Sequence, residues 1–180
     1  RQVCEDSEKA LGDLQGMSAQ QLTEQQQWGA VPCESAQQWL PHLLEQQAQL
    51  TPERIALVWD GGSLDVASLH TQANRLAHYL RDKGVGPDVP VAIAVERSPH
   101  LLIGLLAILK AGGAYVPLDP DYPPERLNYM LQDCGATLLL TQSHLLDGLP
   151  HLSSVSAIAM DCLKLDNWPS HAPGLHLHGD

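Results

Sequence analysis

Basic residues are scarce in this sequence. It contains 10 Lys and Arg against 21 Asp and Glu, which gives a formal net charge of −11 at pH 7. Binding to nucleic acid or to an anionic membrane depends on clustered Lys and Arg side chains that neutralise phosphate groups. We therefore expect neither nucleic acid nor a membrane surface as a partner.

Long apolar runs are also lacking. The longest, Leu101 to Leu109, is roughly half of what a helix needs to cross a bilayer. The N-terminus carries acidic residues where a secretory signal would be basic and then apolar. Both features predict a cytoplasmic protein.

The four cysteines form no C-x-x-C pair. Cys4, Cys33, Cys134 and Cys162 are widely spaced, so the pattern indicates neither a zinc site nor a redox-active dithiol. Reduced thiols are the expected state. Two disulfides are the alternative, but a chain with 44% hydrophobic residues does not need them to build a core.

A glycine-rich phosphate-binding motif is missing as well. The sequence has no G-x-G-x-x-G and no G-x-x-x-x-G-K-[ST], the patterns that bring backbone amides to a phosphate. Gly112 and Gly113 follow Lys110 at the end of a predicted helix, where the exposed carbonyls repel phosphate. We interpret both glycines as helix-capping residues.

Histidines near the C-terminus raise the question of a metal site. In an extended strand, His176 and His178 would lie on one face, with His171 and Asp180 close enough to complete a ligand set. The surrounding stretch is polar and contains proline, so we favour solvated chain and predict no metal site.

Other polar residues are assigned structural roles. Asp119 and Arg126 lie near the end of a predicted parallel strand, where side chains often face a ligand. Asp119 suits a side chain that bonds its own turn, and Glu125 suits the first turn of a helix. His144 and His151 flank loops without an identifiable partner. The sequence therefore predicts no catalytic, cofactor-binding or metal-binding residue.

Residues 1–34 differ from the rest of the chain. They are Gln-rich, and their apolar residues are too sparse to form a core. We predict a linker with a surface helix over 1–34, and a domain over 35–180.

Strands and helices alternate in the second region. Ser35 is a candidate N-cap for a helix that runs to Leu50. Ile55–Trp59 and 63–66 predict a β-hairpin, and a helix ending at Gly84 follows. Four further strands are predicted at 89–95, 114–116, 137–141 and 155–160, with helices opened by Ser98-Pro99 and by Pro123-Pro124 between them. This order predicts an α/β fold, a mostly parallel, doubly wound sheet with helices on both faces.

The run Leu109 to Pro120 is the most informative one. Leu101, Leu102, Leu105, Leu106 and Leu109 predict a buried helical face before it. Lys110 suits the negative end of that helix, and Gly112 with Gly113 can adopt the left-handed conformation that ends it. Tyr115 and Val116 then favour an extended backbone.

This run and the following Asp121-Tyr-Pro-Pro-Glu-Arg-Leu127 closely resemble the second core motif of the amino-acid adenylation domains of non-ribosomal peptide synthetases. The resemblance extends from about Trp39 to about Gln142. It includes Thr51-Pro-Glu-Arg-Ile-Ala-Leu57, Gln72-Ala-Asn-Arg-Leu-Ala-His-Tyr-Leu80 and Val91-Ala-Ile-Ala-Val-Glu-Arg-Ser98. Where the family usually has Leu-Thr-Tyr-x-Glu-Leu, this chain has Leu64-Asp-Val-Ala-Ser-Leu69.

The resemblance implies an enzyme that uses ATP and magnesium to convert an amino acid to an aminoacyl-adenylate, and then loads it on a phosphopantetheine carrier. The two motifs present are structural in that family, and the family's catalytic elements would lie beyond Asp180. We therefore expect a fragment, truncated before the phosphate loop, that is inactive alone. Its expected neighbours are an upstream condensation domain, joined through residues 1–34, and the downstream remainder of the adenylation domain with a carrier domain.

Two alternatives remain open. The chain could belong to a stand-alone acyl- or aryl-acid ligase of the same superfamily. It could also be a non-catalytic α/β interaction module whose Gln-rich N-terminal helix binds the partner.

Overall fold

The computed structural model describes residues 17–29, 40–150 and 154–174. The chain divides into two compact units, Arg1–Gln37 and Gln38–Asp180. In the first unit, helix α1 (Ala19–Gly29) has no buried residue. Ser18 and Gln21 cap its start, because each side chain accepts a hydrogen bond from the backbone N–H of the other.

The second unit is an α/β structure with a hairpin before the main sheet. Its helices and strands are α2 (Leu40–Leu50), β1 (Ile55–Trp59), β2 (Gly62–Asp65), α3 (Val66–Asp82), β3 (Pro90–Ile93), α4 (Pro99–Ala111), β4 (Ala114–Pro117), α5 (Pro124–Cys134), β5 (Leu138–Thr141) and β6 (Ser156–Ala159). Short 3-10 helices cover Ser143–Gly148 and Met160–Cys162. None of the helices within the described ranges is long and apolar enough to cross a membrane.

The main sheet has four parallel strands in the order β4-β3-β5-β6. Side chains of β3 alternate between its two faces. Val91 and Ile93 pack in a core with α3 and α4, whereas Ala92 packs in a second core with α5. The predicted parallel sheet with helices on both faces is confirmed.

The buried face of α4 differs from the predicted one. Its five leucines are only partly buried, and Leu102 is 40% exposed. Small residues instead face the sheet: Gly104 and Ala107 are buried between Ile103 and Ile108. A Cβ on Gly104 would lie 2.7 Å from Ile93 Cδ1. Close approach to the sheet selects the small side chains, and this helix is apolar almost all round, so periodicity could not select the face.

The two glycines after α4 have different roles. Gly112 has φ +94° and caps the helix in the left-handed conformation, as predicted. Gly113 has no positive φ, so that part of the prediction is wrong. Its constraint is space, because a Cβ there would lie 2.7 Å from Val85 Cγ1 and 3.0 Å from the carbonyl oxygen of Val89.

Lys110 also departs from its predicted role at the helix end. It is 4% exposed, and its ammonium contacts the Glu45 carboxylate of α2. It donates to Asn74 Oδ1 at 2.8 Å and lies 3.2 Å from Nδ1 of His70, both on α3. These residues, Glu45, His70, Asn74 and Lys110, form a buried polar cluster that joins three helices.

Burial and charge together decide the protonation states within this cluster. Burial and the Lys110 charge lower the pKa of His70 below its ordinary value, so the ring is neutral at pH 7 and Nδ1 accepts from Lys110. Burial raises the pKa of Glu45, but the hydrogen bond and charge of Lys110 outweigh it, and the net pKa is lowered. Lys110 is the charge that holds this carboxylate ionised.

The segment after β6 packs along α3. Asn74 Nδ2 donates to the Ser170 carbonyl at 2.7 Å, and His78 Nε2 lies 3.0 Å from the His171 carbonyl oxygen. Trp168 contacts Tyr79 edge to face, with ring centroids 5.6 Å apart. The described part of this segment therefore packs on α3, although its sequence shows no helix or strand periodicity.

The space at Gly113 gives a stability prediction. Gly113→Ala should destabilise the chain by about 2 kcal/mol, because its methyl group must displace Val85 or the Val89 carbonyl directly before β3. Urea unfolding followed by tryptophan fluorescence measures the change. Gly86→Ala is the matched control: no atom lies within 4 Å of its added Cβ, so it should stay within about 0.5 kcal/mol of the wild type. Equal effects of the two substitutions would refute the steric explanation.

The buried polar cluster predicts an asymmetry between its two charged partners. Glu45→Gln leaves a buried ammonium without a counter-charge and should cost about 2 kcal/mol. Lys110→Met should cost less, about 1 kcal/mol, because methionine fills similar space and the Glu45 side chain left behind is 26% exposed to water. Urea unfolding at pH 7 tests this order, with Glu53→Gln, an exposed carboxylate, as the control.

Glu45→Gln should also change how the stability of the fold depends on acidic pH. Because the folded state lowers the pKa of Glu45 from 4.5, its contribution to stability is present above that pH and is lost as the pH falls below it. Glu45→Gln should therefore lose less stability than the wild type below pH 4.5. A larger cost for Lys110→Met than for Glu45→Gln, or an unchanged acid profile, would contradict this account.

Candidate functional site at the switch point of the sheet

The strand order places a topological switch point between β3 and β5. From β3 the chain moves through α4 to β4 on one side, and then through α5 to β5 on the other side. The two connections diverge there, which leaves a crevice outside the carboxyl ends of the neighbouring strands. Open α/β sheets bind ligands at this position. The loops after β3 and β5 are therefore the candidate functional site.

A buried glutamine ties the two loops together. Gln142 directly follows β5, is 8% exposed, and its Oε1 accepts a hydrogen bond from the backbone N–H of Glu96 at 2.9 Å. The backbone N–H of Ala94 donates to the Leu140 carbonyl at 2.9 Å. These bonds fix the separation of the two loops at the crevice.

Two hydroxyl groups near this edge have no hydrogen-bond partner among the described residues. They are Oγ1 of Thr141 and Oγ of Ser98. Thr141 is the last residue of β5 and is fully buried, and Ser98 directly precedes α4. Ser98 occupies the predicted N-cap position, but its side chain makes no cap hydrogen bond. Burying an unpaired hydroxyl costs about 1–3 kcal/mol. A polar ligand that forms a hydrogen bond with either hydroxyl would remove this cost, so both groups favour binding of such a ligand.

Charged residues on the loops are exposed and weakly paired. His144 Nε2 lies 3.3 Å from Glu96 Oε2, with both side chains more than half exposed, so the pair contributes little. Asp161 accepts from the Ser143 hydroxyl and, at 2.8 Å, from the Ser143 amide. These bonds hold the pKa of Asp161 below its ordinary value. The sequence did not identify the partner of His144.

This arrangement can bind a ligand. Its polar groups are the Gln142 amide, the hydroxyls of Ser98, Thr141 and Ser143, the Asp161 carboxylate and an exposed ion pair. The Ser143 hydroxyl donates to Asp161, but the lowered pKa of that carboxylate makes it a weak base. No group of three His, Cys, Asp or Glu within 17–29, 40–150 and 154–174 could hold a metal ion. The expectation that this chain contributes no catalytic, cofactor-binding or metal-binding residue remains a prediction.

The residues singled out in the sequence lie elsewhere. Asp119 Oδ1 accepts from the backbone N–H of Asp121 at 3.1 Å, which is the predicted turn bond. The Arg126 guanidinium lies 4.0 Å from the centre of the Tyr122 ring. His171 lies against His78, with ring centroids 5.0 Å apart. Cys134 and Cys162 are free thiols. The remaining candidates lie outside the described residues: Cys4, Cys33, Ser35, His151, His176, His178 and Asp180.

Sequence reasoning missed Thr141 and Gln142. A signal was present, because two polar residues directly follow the apolar run Leu138–Leu140. The strand order was needed to recognise it, since only that order makes β5 the neighbour of β3.

Family and relatives agree on one class of protein. A family model described as AMP-binding enzyme matches residues 44–174. Gramicidin S synthase 2 of Brevibacillus brevis is 57% identical over 113 residues, which cover 63% of this chain and 2% of that protein. Tyrocidine synthase 3 of Brevibacillus parabrevis is 54% identical over 127 residues, 71% of this chain and 2% of that protein. The chain thus spans about 2% of the length of these curated relatives.

Solved structures show the same fold. The nonribosomal peptide synthetase FmoA3 in its AMPPNP-bound form superposes with a TM-score of 0.75 at 27% identity, over 86% of this chain and 17% of that one. The N-terminal subdomain of NpsA from Klebsiella oxytoca gives a TM-score of 0.68 at 25% identity, over 79% of this chain and 36% of that one. The chain therefore belongs to the family of AMP-binding enzymes, and its α/β unit matches part of the adenylation domain of a nonribosomal peptide synthetase.

Proposed function

We propose that this chain is the first part of an adenylation domain that activates an amino acid for peptide assembly. The observation that carries the proposal is the 57% identity to gramicidin S synthase 2 over 113 residues, within a family match over 44–174. In the proposed reaction an amino-acid carboxylate oxygen bonds to the α-phosphorus of ATP, the bond between the α- and β-phosphates breaks, and pyrophosphate leaves. The acyl group then passes to a phosphopantetheine thiol, and AMP leaves.

The described residues do not fit ATP or magnesium. The buried cation among them, Lys110, is occupied by Glu45 and Asn74. The sequence has no glycine-rich phosphate loop, and the described residues form no metal-binding group. No step of the reaction is therefore assigned to this chain. Its proposed role is to build the parallel sheet and the edge at which the remainder of the domain and its ligands meet.

Sequence identity to the curated relatives favours an amino acid as the acid that is activated. The N-terminal subdomain of NpsA, at 25% identity, has been solved with 3-hydroxybenzoyl-AMSN, an observation that favours the aryl-acid alternative. The peptide synthetases are more than 50% identical over 113 and 127 residues. We therefore propose an amino-acid substrate, a carrier domain and a condensation domain as partners in the parent protein, and the cytoplasm as its location.

A domain replacement tests this proposal. Residues 40–174 should replace the matching segment in an adenylation domain of gramicidin S synthase 2 and retain amino-acid-dependent exchange of pyrophosphate into ATP, within about tenfold of the unaltered domain. The same domain with the segment deleted is the negative control. The amino-acid preference should remain that of the recipient. A chimera that is soluble and folded but shows no exchange would refute the proposed role.

The chain by itself should be inactive. We expect no pyrophosphate exchange with any proteinogenic amino acid, since the described residues lack a phosphate site. Among the described residues, edge strands β4 and β6 each have one side without a strand partner in the sheet, so thermal unfolding should be broad and depend on protein concentration. The unaltered recipient domain is the positive control. A sharp transition independent of concentration, without exchange, would favour the interaction-module alternative.

A further inference from the structure

A cavity separate from the switch point lies between α3, α4 and the chain that follows β6. Its volume is 430 Å³, within the range of small-molecule sites. The most deeply buried lining residues are Leu76 of α3, Ile103 of α4 and Met160 after β6, which are 1%, 5% and 8% exposed. The inner part of the cavity is therefore apolar.

Cationic side chains line the outer part of the same cavity. Arg75 of α3 and Lys164 after β6 lie on its wall, together with the imidazole of His100 of α4. One carboxylate, Asp166, lines it as well. In a chain with a net charge of −11, two cations against one carboxylate around this cavity are a local reversal of sign. Such a reversal attracts an anion.

Arg75 is incompletely paired. Its Nε is buried and has no hydrogen-bond partner among the described residues. Its Nη1 lies 3.4 Å from Asp166 Oδ1, but the Asp166 side chain is 91% exposed, so this ion pair is weak. The buried Nε is out of reach of a ligand, but the two terminal amino groups of the guanidinium can donate to a carboxylate in a two-point contact.

We propose that this cavity binds a small amphipathic carboxylate, with its carboxylate on Arg75 and its apolar chain against Leu76, Ile103 and Met160. The apolar inner part accounts for the chain, and the weakly paired Arg75 guanidinium accounts for the acid group. Lys164 adds charge at the rim. The site is independent of the reaction proposed above, because it contains no residue of the switch-point loops.

Ligand-observed NMR with octanoate tests the proposal on the monomeric fraction of the 180-residue chain, at low protein concentration and well below its unfolding temperature. We expect saturable binding with a Kd of about 0.1–1 mM. Octanol keeps the apolar chain without the charge, and acetate keeps the charge without the chain. Each should bind at least about tenfold more weakly than octanoate. Equal binding of octanol would show a merely apolar crevice, and equal binding of acetate would show a merely anionic site. Either result, or no saturable octanoate binding, overturns the proposal.

Substitutions test whether octanoate binds at Arg75. Arg75→Gln should weaken octanoate binding about tenfold, whereas Arg81→Gln, an exposed cation on the same helix, should leave it unchanged. Asp166→Asn removes the carboxylate that competes for Arg75 and should tighten binding about threefold. This gain does not arise from misfolding, so it keeps the test valid if Arg75→Gln is unstable. Unchanged affinity in both Arg75→Gln and Asp166→Asn would refute the assignment.

Discussion

The buried ammonium of Lys110 joins α2 to α3 and α4, two helices that pack closely on each other but make few other contacts with α2. It is the last cation of α4, yet it contacts Glu45 on α2 and Asn74 on α3. Asn74 continues the connection to Ser170 in the segment after β6. Ala48 is the one buried residue of α2, so the Glu45 contact supplies much of what fixes that helix. A buried charge without its partners is costly. Any movement of α2 or α3 that removed Glu45 or Asn74 from Lys110 would therefore destabilise the fold.

Small residues provide a second constraint. Gly104 lets α4 approach Ile93 of the sheet, and Gly113 leaves room for Val85 and for the Val89 carbonyl. The polypeptide between them contains Lys110, so close helix–sheet packing and the buried polar cluster arise from the same short run. A substitution that moved α4 outward would also move the Lys110 ammonium away from Asn74. In this structure the run Leu109 to Pro120, which carries the family resemblance, therefore has a packing role.

The switch-point crevice and the cavity beside α3 differ in chemistry. Gln142 and the unpaired hydroxyls of Ser98 and Thr141 are neutral groups at the end of the parallel strands, where a polar partner satisfies them. The cavity combines an apolar interior with the partly free guanidinium of Arg75. Both depend on helices and loops that connect the strands of the sheet. This agrees with a chain that shapes a domain.

Local signals in the sequence determined most of the elements and the family. The apolar run of β5, the left-handed glycine at 112 and Pro99 at the start of α4 act through backbone preferences that need no distant partner. Tertiary structure alone decided three things: which face of α4 is buried, the burial of Lys110 with Glu45 across 65 positions, and the pairing of β5 with β3. These depend on close packing and on desolvated charge, which arise only when distant segments meet.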